Sequence, residues 1–292
     1  MPSSNERYHD RIAARYDDVY KKDAYWAYYH EVSWQDLKPS LPRDLSRPVL
    51  DVGCGTGLFG LRLMKSGYTV VFSDLSRKML DVALRKAGEQ FPSREADAAV
   101  ADITDLEPFE DERFSFVVAQ GDPLSFSTDR RRAWRNLHRV LAPNGCAVVS
   151  VDSRFGGCQP FVGRNDLEGL EDFLAKGAGT WLADRAEERF PFHAFTPTSL
   201  RQEAERAGFD VVRVIGKTMF DLRGGHPWID DLKTRRRLLA MEKRYGATEL
   251  ALGRAHHLQI TVRKRDAEAP QRAEPRTERV RRGGRRRKKG AR

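Results

Sequence analysis

Cysteine is scarce in this sequence. Three thiols in 292 residues, Cys54, Cys146 and Cys158, are too few and too scattered for a disulfide framework or a zinc site. They read as small buried hydrophobes. Long apolar runs are missing as well, since none reaches the roughly 18 residues that cross a bilayer. The opening stretch MPSSNERYHDRIAARYDD lacks the basic leader and apolar core of a secretory signal, so the expected location is the cytoplasm, with no membrane span. Charge, by contrast, is plentiful. Charged residues make up 32% of the chain, beside a hydrophobic 40% that suffices for a core. The net charge of +10 is unevenly placed: residues 266–292 carry +7 and the rest of the chain +3. The body is therefore near neutral. The basicity belongs to a tail, poor in apolar residues and ending RRGGRRRKKGAR, whose composition predicts disorder.

Residues 1 to about 45 read as helix. Tyr8, Ile12, Tyr16 and Val19 or Tyr20 recur every three to four positions, and Pro39 and Pro42 end the region. Short apolar runs then alternate with helical patterns. Strands are predicted at Val49–Val52, Thr69–Phe72, Ala98–Ala101, Phe114–Ala119 and Cys146–Val151, with helices between them and turns at Gly67 and Pro143-Asn144-Gly145. Such alternation predicts a parallel sheet covered on both faces by helices. Thr196-Pro197 opens a further helix with a cap and a first-turn proline. Phe209–Ile215 and His257–Val262 follow without a clear crossover between them, which predicts antiparallel pairing. The expected organisation is a helical cap (1–45), a body (46–265) with inserts at about 153–195 and 221–254, and the basic tail (266–292). The first insert, rich in Gly and Phe, has the length of a lid.

The segment VLDVGCGTGLFG admits two readings. Gly55-Thr56-Gly57-Leu58-Phe59-Gly60 fits the dinucleotide pattern G-x-G-x-x-G, with Asp74 placed 19 residues after Gly55 as a ribose acid. That reading is an NAD-type oxidoreductase. The other uses Gly53, Gly55 and Gly57 together with Asp51 at the strand's end. A carboxylate there repels a pyrophosphate and suits a ligand carrying an ammonium group. The glycines let backbone approach that ligand with no Cβ in the way.

VLDVGCGTG resembles motif I of the class I S-adenosylmethionine-dependent methyltransferases. The resemblance runs over about residues 7–264. It takes in the acid of VVFSDLS, Asp102-Ile103, the run LHRVLAPNGCAVVS and RAGFDVVRV, while YHDRIAARYDDVY is similar to the first helix of the ubiquinone/menaquinone branch. It implies a Rossmann-like α/β fold with a seven-stranded, mostly parallel sheet, the last strand antiparallel. The implied cofactor is S-adenosyl-L-methionine as methyl donor, without a metal. Gly53, Gly55 and Gly57 would line the methionine moiety and Asp51 would hold its amino group. Asp74 would accept from both ribose hydroxyls. Leu75 and Met79 would pack near the adenine, Asp102 would accept from its amine, and the Ile103 amide would donate to a ring nitrogen. Gln120 would offer its backbone carbonyl to the amino group, and Tyr16 would close over the donor.

The sequence says less about the acceptor. Transfer from a sulfonium needs in-line alignment and exclusion of water, and a base where the acceptor arrives protonated. Asp122, in Gly121-Asp122-Pro123-Leu124-Ser125-Phe126, partly resembles the [DN]-P-P-[FY] motif of amino-group methyltransferases, lacking the second proline. It and His193 are the candidate catalytic residues, with Tyr8 and His226 behind them. The expected partner is a small-molecule acceptor bearing an O, N or C nucleophile. The alternative is an RNA or ribosomal-protein acceptor, with tail residues 272–292 as a non-specific RNA contact.

Overall fold

The computed structural model describes residues 1–220 and 222–265, so the expectation of a disordered basic tail lies outside the described residues. The chain opens with α1 (Ser4–Ile12), α2 (Tyr16–Lys22) and α3 (Ala24–Leu37). Ser3 and Glu6 form a reciprocal capping box at the start of α1, and Asp23 caps α3. Then follow β1 (Val49–Val52), α4 (Leu58–Lys65), β2 (Val70–Asp74), α5 (Arg77–Gln90), β3 (Asp97–Val100), β4 (Phe114–Ala119), α6 (Arg130–Val140) and β5 (Leu141–Asp152). The segment after β5 holds α7 (Gln159–Gly163), α8 (Leu167–Lys176) and a hairpin of β6 (Ala178–Trp181) and β7 (Phe190–His193). Next come α9 (Pro197–Arg206), capped by Thr196 as its sequence predicts, and β8 (Phe209–Lys217). A second helical stretch, α10 (Pro227–Asp230), α11 (Leu232–Tyr245) and α12 (Glu249–Arg254), leads to β9 (His257–Lys264).

The main sheet has seven strands in the order β3-β2-β1-β4-β5-β9-β8. β1 to β5 pair in parallel, and β9 runs antiparallel to both of its neighbours. The expected Rossmann-like sheet with its last strand reversed is therefore present. Strand order reverses between β1 and β4, and the crevice at such a switch point is where open α/β sheets bind ligands.

Strand alternation builds the two cores. Leu50, Val52, Val71, Val117 and Ala119 face one way and meet Trp134 and Leu137 of α6 and Leu200 and Ala204 of α9. Val49, Val70, Phe72, Phe116 and Val118 face the other way and meet Leu37, Leu63 and Met64, with Ala83 and Ala87 of α5. Both faces are dry, which is why these strands read as continuous apolar runs. Fully burying a side chain such as Phe116 stabilises the fold by roughly 1.5–3 kcal/mol. A third cluster joins Tyr25, Tyr28, Tyr29 and Val32 of α3 to Ile215 of β8 and Leu238 of α11, fixing the amino-terminal helices to the far edge of the sheet.

Candidate functional site

Backbone geometry sets the site. Gly53, Gly55 and Gly57 all have positive φ (63°, 53° and 87°), so the chain leaves β1 through a turn that residues with a Cβ rarely adopt. A Cβ on Gly53 would lie 2.8 Å from Pro123 Cβ, which brings the turn against the loop after β4. At the end of β2, Asp74 braces the same turn. Its Oδ2 accepts from the Gly55 N–H at 2.8 Å and its Oδ1 from the Ser76 N–H at 2.8 Å. Burial pushes the Asp74 carboxyl above the usual carboxylate range.

A cleft opens to solvent above this turn. Its wall includes Gly53, Gly55, Asp74, Leu75, Asp102, Ile103, Gln120 and Tyr16. These are eight of the eleven residues assigned to the donor from the sequence. Asp102 accepts from the Thr104 N–H at 2.8 Å, which holds its loop in a turn beneath the cleft.

The other three stand behind the wall. Asp51 is 2% exposed and its Oδ2 accepts from the Gly60 N–H at 2.7 Å, inside the first turn of α4. Burial raises its carboxyl to about 8. Gly57 caps α4 and packs on Ala83 and Phe72. Met79 is fully buried, because Ser76 caps α5 and so sets a helical phase that turns Met79, Leu80, Ala83 and Ala87 inward. Neither candidate catalytic residue is on the wall. His193 sits at the base of the β6–β7 hairpin, where its N–H donates to the Ser125 carbonyl and its ring meets Phe195 edge-on. Burial, with Arg130 and Arg154, lowers its imidazole to about 4. Asp122 points away from the cleft, although its neighbours Gly121 and Pro123 line it. His226 caps α10 far along the chain.

The amino-terminal helices supply wall residues that the sequence reading passed over: Asn5, His9, Tyr20 and His30. Asn5 and His9, like Tyr16 and Tyr20, are four apart and share a helix face. Two contacts hold them over the donor loops. Ser76 Oγ donates to Asp10 at 2.5 Å, and Thr56 Oγ1 donates to Asp17 at 2.6 Å, with Lys86 also paired to Asp17. Burial, helped by Lys217 and Arg62, lowers the His30 imidazole to about 3. A folded-state value below the unfolded one makes this histidine cost stability as pH falls below about 6.5. A His30→Phe variant should therefore gain on the natural chain by roughly 3 kcal/mol between pH 6.5 and 4, read by urea unfolding at each pH. An unchanged difference across that range would mean that the imidazole protonates freely in the fold.

Beside the wall lies an aromatic roof. Tyr8 of α1, Phe126 of the loop after β4, and Trp181 and Phe190 of the hairpin meet with ring centroids 5.5–6.2 Å apart. Phe126 belongs to both roof and cleft. Arg11 holds the hairpin to α1 through the Glu188 carboxylate at 2.6–2.8 Å.

Behind Gln120 is a buried polar group. Asp122, with φ of 66°, lies against His257, and Lys217 donates to the Tyr29 hydroxyl (2.7 Å), Ser33 Oγ (3.2 Å) and Gln120 Oε1 (3.4 Å). Burial lowers the Lys217 ammonium to about 8. Burial alone would raise Asp122, but His257, Lys217 and Ser150 hold it at about 2.

A family model described as a methyltransferase domain matches residues 49–145, from β1 into β5. YqeM of Bacillus subtilis (strain 168), a methyltransferase by provisional name, is 30% identical over 200 residues, 61% of this chain and 78% of the relative. A 2-phytyl-1,4-naphtoquinone methyltransferase of Nostoc sp. is 33% identical over 149 residues, 48% of this chain and 61% of the relative. A tRNA 5-carboxymethoxyuridine methyltransferase of Escherichia coli O157:H7 is 25% identical over 239 residues, 80% of this chain and 87% of the relative. Among solved structures, a SAM-dependent methyltransferase of Methanosarcina mazei shares the fold, with a TM-score of 0.57 at 20% identity, covering 79% of this chain and 97% of that one. Among the described residues no helix is long and apolar enough to cross a membrane.

Proposed function

Since the chain belongs to the class I S-adenosylmethionine-dependent methyltransferases, we propose that it methylates a small, planar, largely apolar molecule seated under the aromatic roof. When bound, S-adenosylmethionine supplies an electrophilic methyl group on a sulfonium. The fit to the donor rests on the cleft itself. The positive-φ glycines leave backbone bare at its floor, and Asp74 keeps lone pairs beyond those given to Gly55 and Ser76. In this reading Asp74 would accept from the ribose hydroxyls, Leu75 and Ile103 would flank the adenine, Asp102 would accept from its amine, and the Gln120 backbone carbonyl would accept from the ammonium. Tyr16 and the roof exclude water, which is the protein's main contribution to such a transfer.

Proton removal falls to His9 rather than to His193 or Asp122. Its Nδ1 lies 2.9 Å from the Asn5 carbonyl, a contact that only a protonated Nδ1 makes favourable, so in the neutral ring Nε2 is the acceptor. The observation that carries the acceptor class is the roof: four rings continuous with the donor cleft, on a body whose charge is near neutral.

The tRNA methyltransferase relative and the basic tail favour a second reading, an RNA acceptor tethered through residues 272–292. One experiment separates the two. Deleting residues 266–292 should leave turnover of a planar hydroxylated aromatic unchanged, followed as S-adenosylhomocysteine release, while His9→Gln should cut turnover at saturating donor at least tenfold. No turnover of the aromatic by the intact chain, with methylation of RNA and salt-sensitive RNA binding that tail deletion abolishes, would establish the RNA reading instead.

A further inference from the structure

Three side chains from distant parts of the chain converge at the carboxyl ends of β4 and β5. Asp152 ends β5, and His257 is its direct partner across the antiparallel pairing with β9. Asp122 reaches the same point because its left-handed backbone is held by N–H donation to Ser150 Oγ at 3.1 Å. His257 Nδ1 lies 2.8 Å from Asp122 Oδ2 and 3.7 Å from Asp152 Oδ1. One ligand atom from each residue lies within 4.8 Å of the other two.

Asp122 and His257 are buried, Asp152 is half-buried, and the group is under-satisfied. Asp122 is 5% exposed and His257 8%. Neither ring nitrogen of His257 is aligned for a hydrogen bond, and Asp122 Oδ1 and Asp152 Oδ2 have no hydrogen-bond partner. A buried polar atom left so costs on the order of 1–3 kcal/mol. Lys217 does not resolve this, because its ammonium is directed at Tyr29, Ser33 and Gln120. A single cation between the two carboxylates and the imidazole satisfies all three groups at once.

We propose that Asp122, Asp152 and His257 form a binding site for one divalent cation. The donor set is one imidazole nitrogen and two carboxylates, with no thiolate. That suits Mn²⁺, Fe²⁺ or Zn²⁺ and disfavours Cu⁺, which seeks sulfur, and Ca²⁺, which seeks an all-oxygen shell. Metal–ligand bonds of roughly 2.0–2.2 Å place adjacent ligand atoms about 3 Å apart. The separations of 2.8 and 3.7 Å are of that order. The site is one residue behind the cleft wall, since Gly121 and Pro123 line the cleft on either side of Asp122. A cation there neutralises two carboxylates and fixes the turn that carries Gln120 and Gly121. The proposal does not depend on the identity of the acceptor or on methyl transfer.

The test uses the full chain, stripped with EDTA and titrated with MnCl₂ and with ZnCl₂ by calorimetry, with thermal unfolding measured in parallel. The expected result is saturable binding of one equivalent and a melting temperature that rises with metal and falls back with EDTA. Asp152→Asn and His257→Gln should each weaken binding by at least about tenfold. Their S-adenosylhomocysteine affinity reports whether they fold, because neither residue is on the donor wall. The stripped wild-type chain decides the matter even if both variants fail to fold, since absence of saturable binding of either metal overturns the proposal. Folded variants that bind metal as the wild type does overturn it equally.

Discussion

Asp74→Ala is expected to weaken S-adenosylhomocysteine binding by about 100-fold or more. Hydrogen bonds to a charged group are worth roughly 1.5–3 kcal/mol each, and every ~1.4 kcal/mol is a factor of ten in affinity. Two ribose hydroxyls on one carboxylate therefore account for two decades. The same carboxylate also holds the Gly55 and Ser76 amides, so part of the loss comes through the glycine turn. Asp74→Asn separates the two contributions. It keeps an oxygen for one amide but loses the charge, and should fall between wild type and alanine in calorimetric affinity while melting closer to the wild type. Unchanged affinity in both variants would reduce Asp74 to a structural brace.

Gly60→Val is expected to cost roughly 2–6 kcal/mol of stability. A Cβ at this position would overlap the Phe72 ring, 2.8 Å from its Cζ, and come within 2.9 Å of Asp51 Oδ2. α4 would have to lift from β1 and β2, breaking the Gly60 N–H donation to Asp51. Overpacking a dry helix–sheet contact typically costs 1–3 kcal/mol, and leaving Asp51 unpaired adds about 1–3 kcal/mol more. Gly88 in α5 is the control. Nothing lies within 4 Å of a Cβ there, so Gly88→Ala should stabilise the chain by roughly 0.5–1 kcal/mol in urea unfolding. Equal melting of the two variants would contradict this account of how α4 packs.

Gly60 also shows what the sequence could and could not convey. It completes the dinucleotide pattern, and its close packing on β2 is what the last glycine of such a pattern does. Spacing alone therefore could not separate the two cofactor readings, and the downstream motifs carried the distinction. Strand ends with turn residues were legible, which is why Asp74, Leu75, Asp102, Ile103 and Gln120 all meet at the cleft. The resemblance put Met79 near the adenine, whereas the Ser76 cap sets a helix phase that turns it inward with Leu80, Ala83 and Ala87. Asp51 was assigned to the donor from its position at the strand end, yet its carboxylate turns into the first turn of α4. Sequence treated His193 as a lid residue, and its place is set by the hairpin register pairing it with Ala178.

Other contacts depend on tertiary pairing that no local pattern encodes. Asp152 and His257 are over a hundred positions apart and meet only because β9 inserts between β5 and β8. No ligand cluster is apparent in the linear sequence for that reason. The wall residues of α1 to α3 had a local signal, the four-residue spacing of Asn5 with His9 and Tyr16 with Tyr20. What that spacing could not supply was the docking partner, which depends on Asp10 meeting Ser76 and Asp17 meeting Thr56.

Every expectation about the donor requires that the cleft over Gly53–Gly57 take S-adenosylmethionine and not a dinucleotide. Calorimetric titration of the full-length wild-type chain tests it most directly, with S-adenosylhomocysteine in one run and NAD⁺ in another. One saturable site for S-adenosylhomocysteine is expected, displaced by S-adenosylmethionine, with no heat from NAD⁺. Saturable binding of NAD⁺ with none of S-adenosylhomocysteine would contradict it.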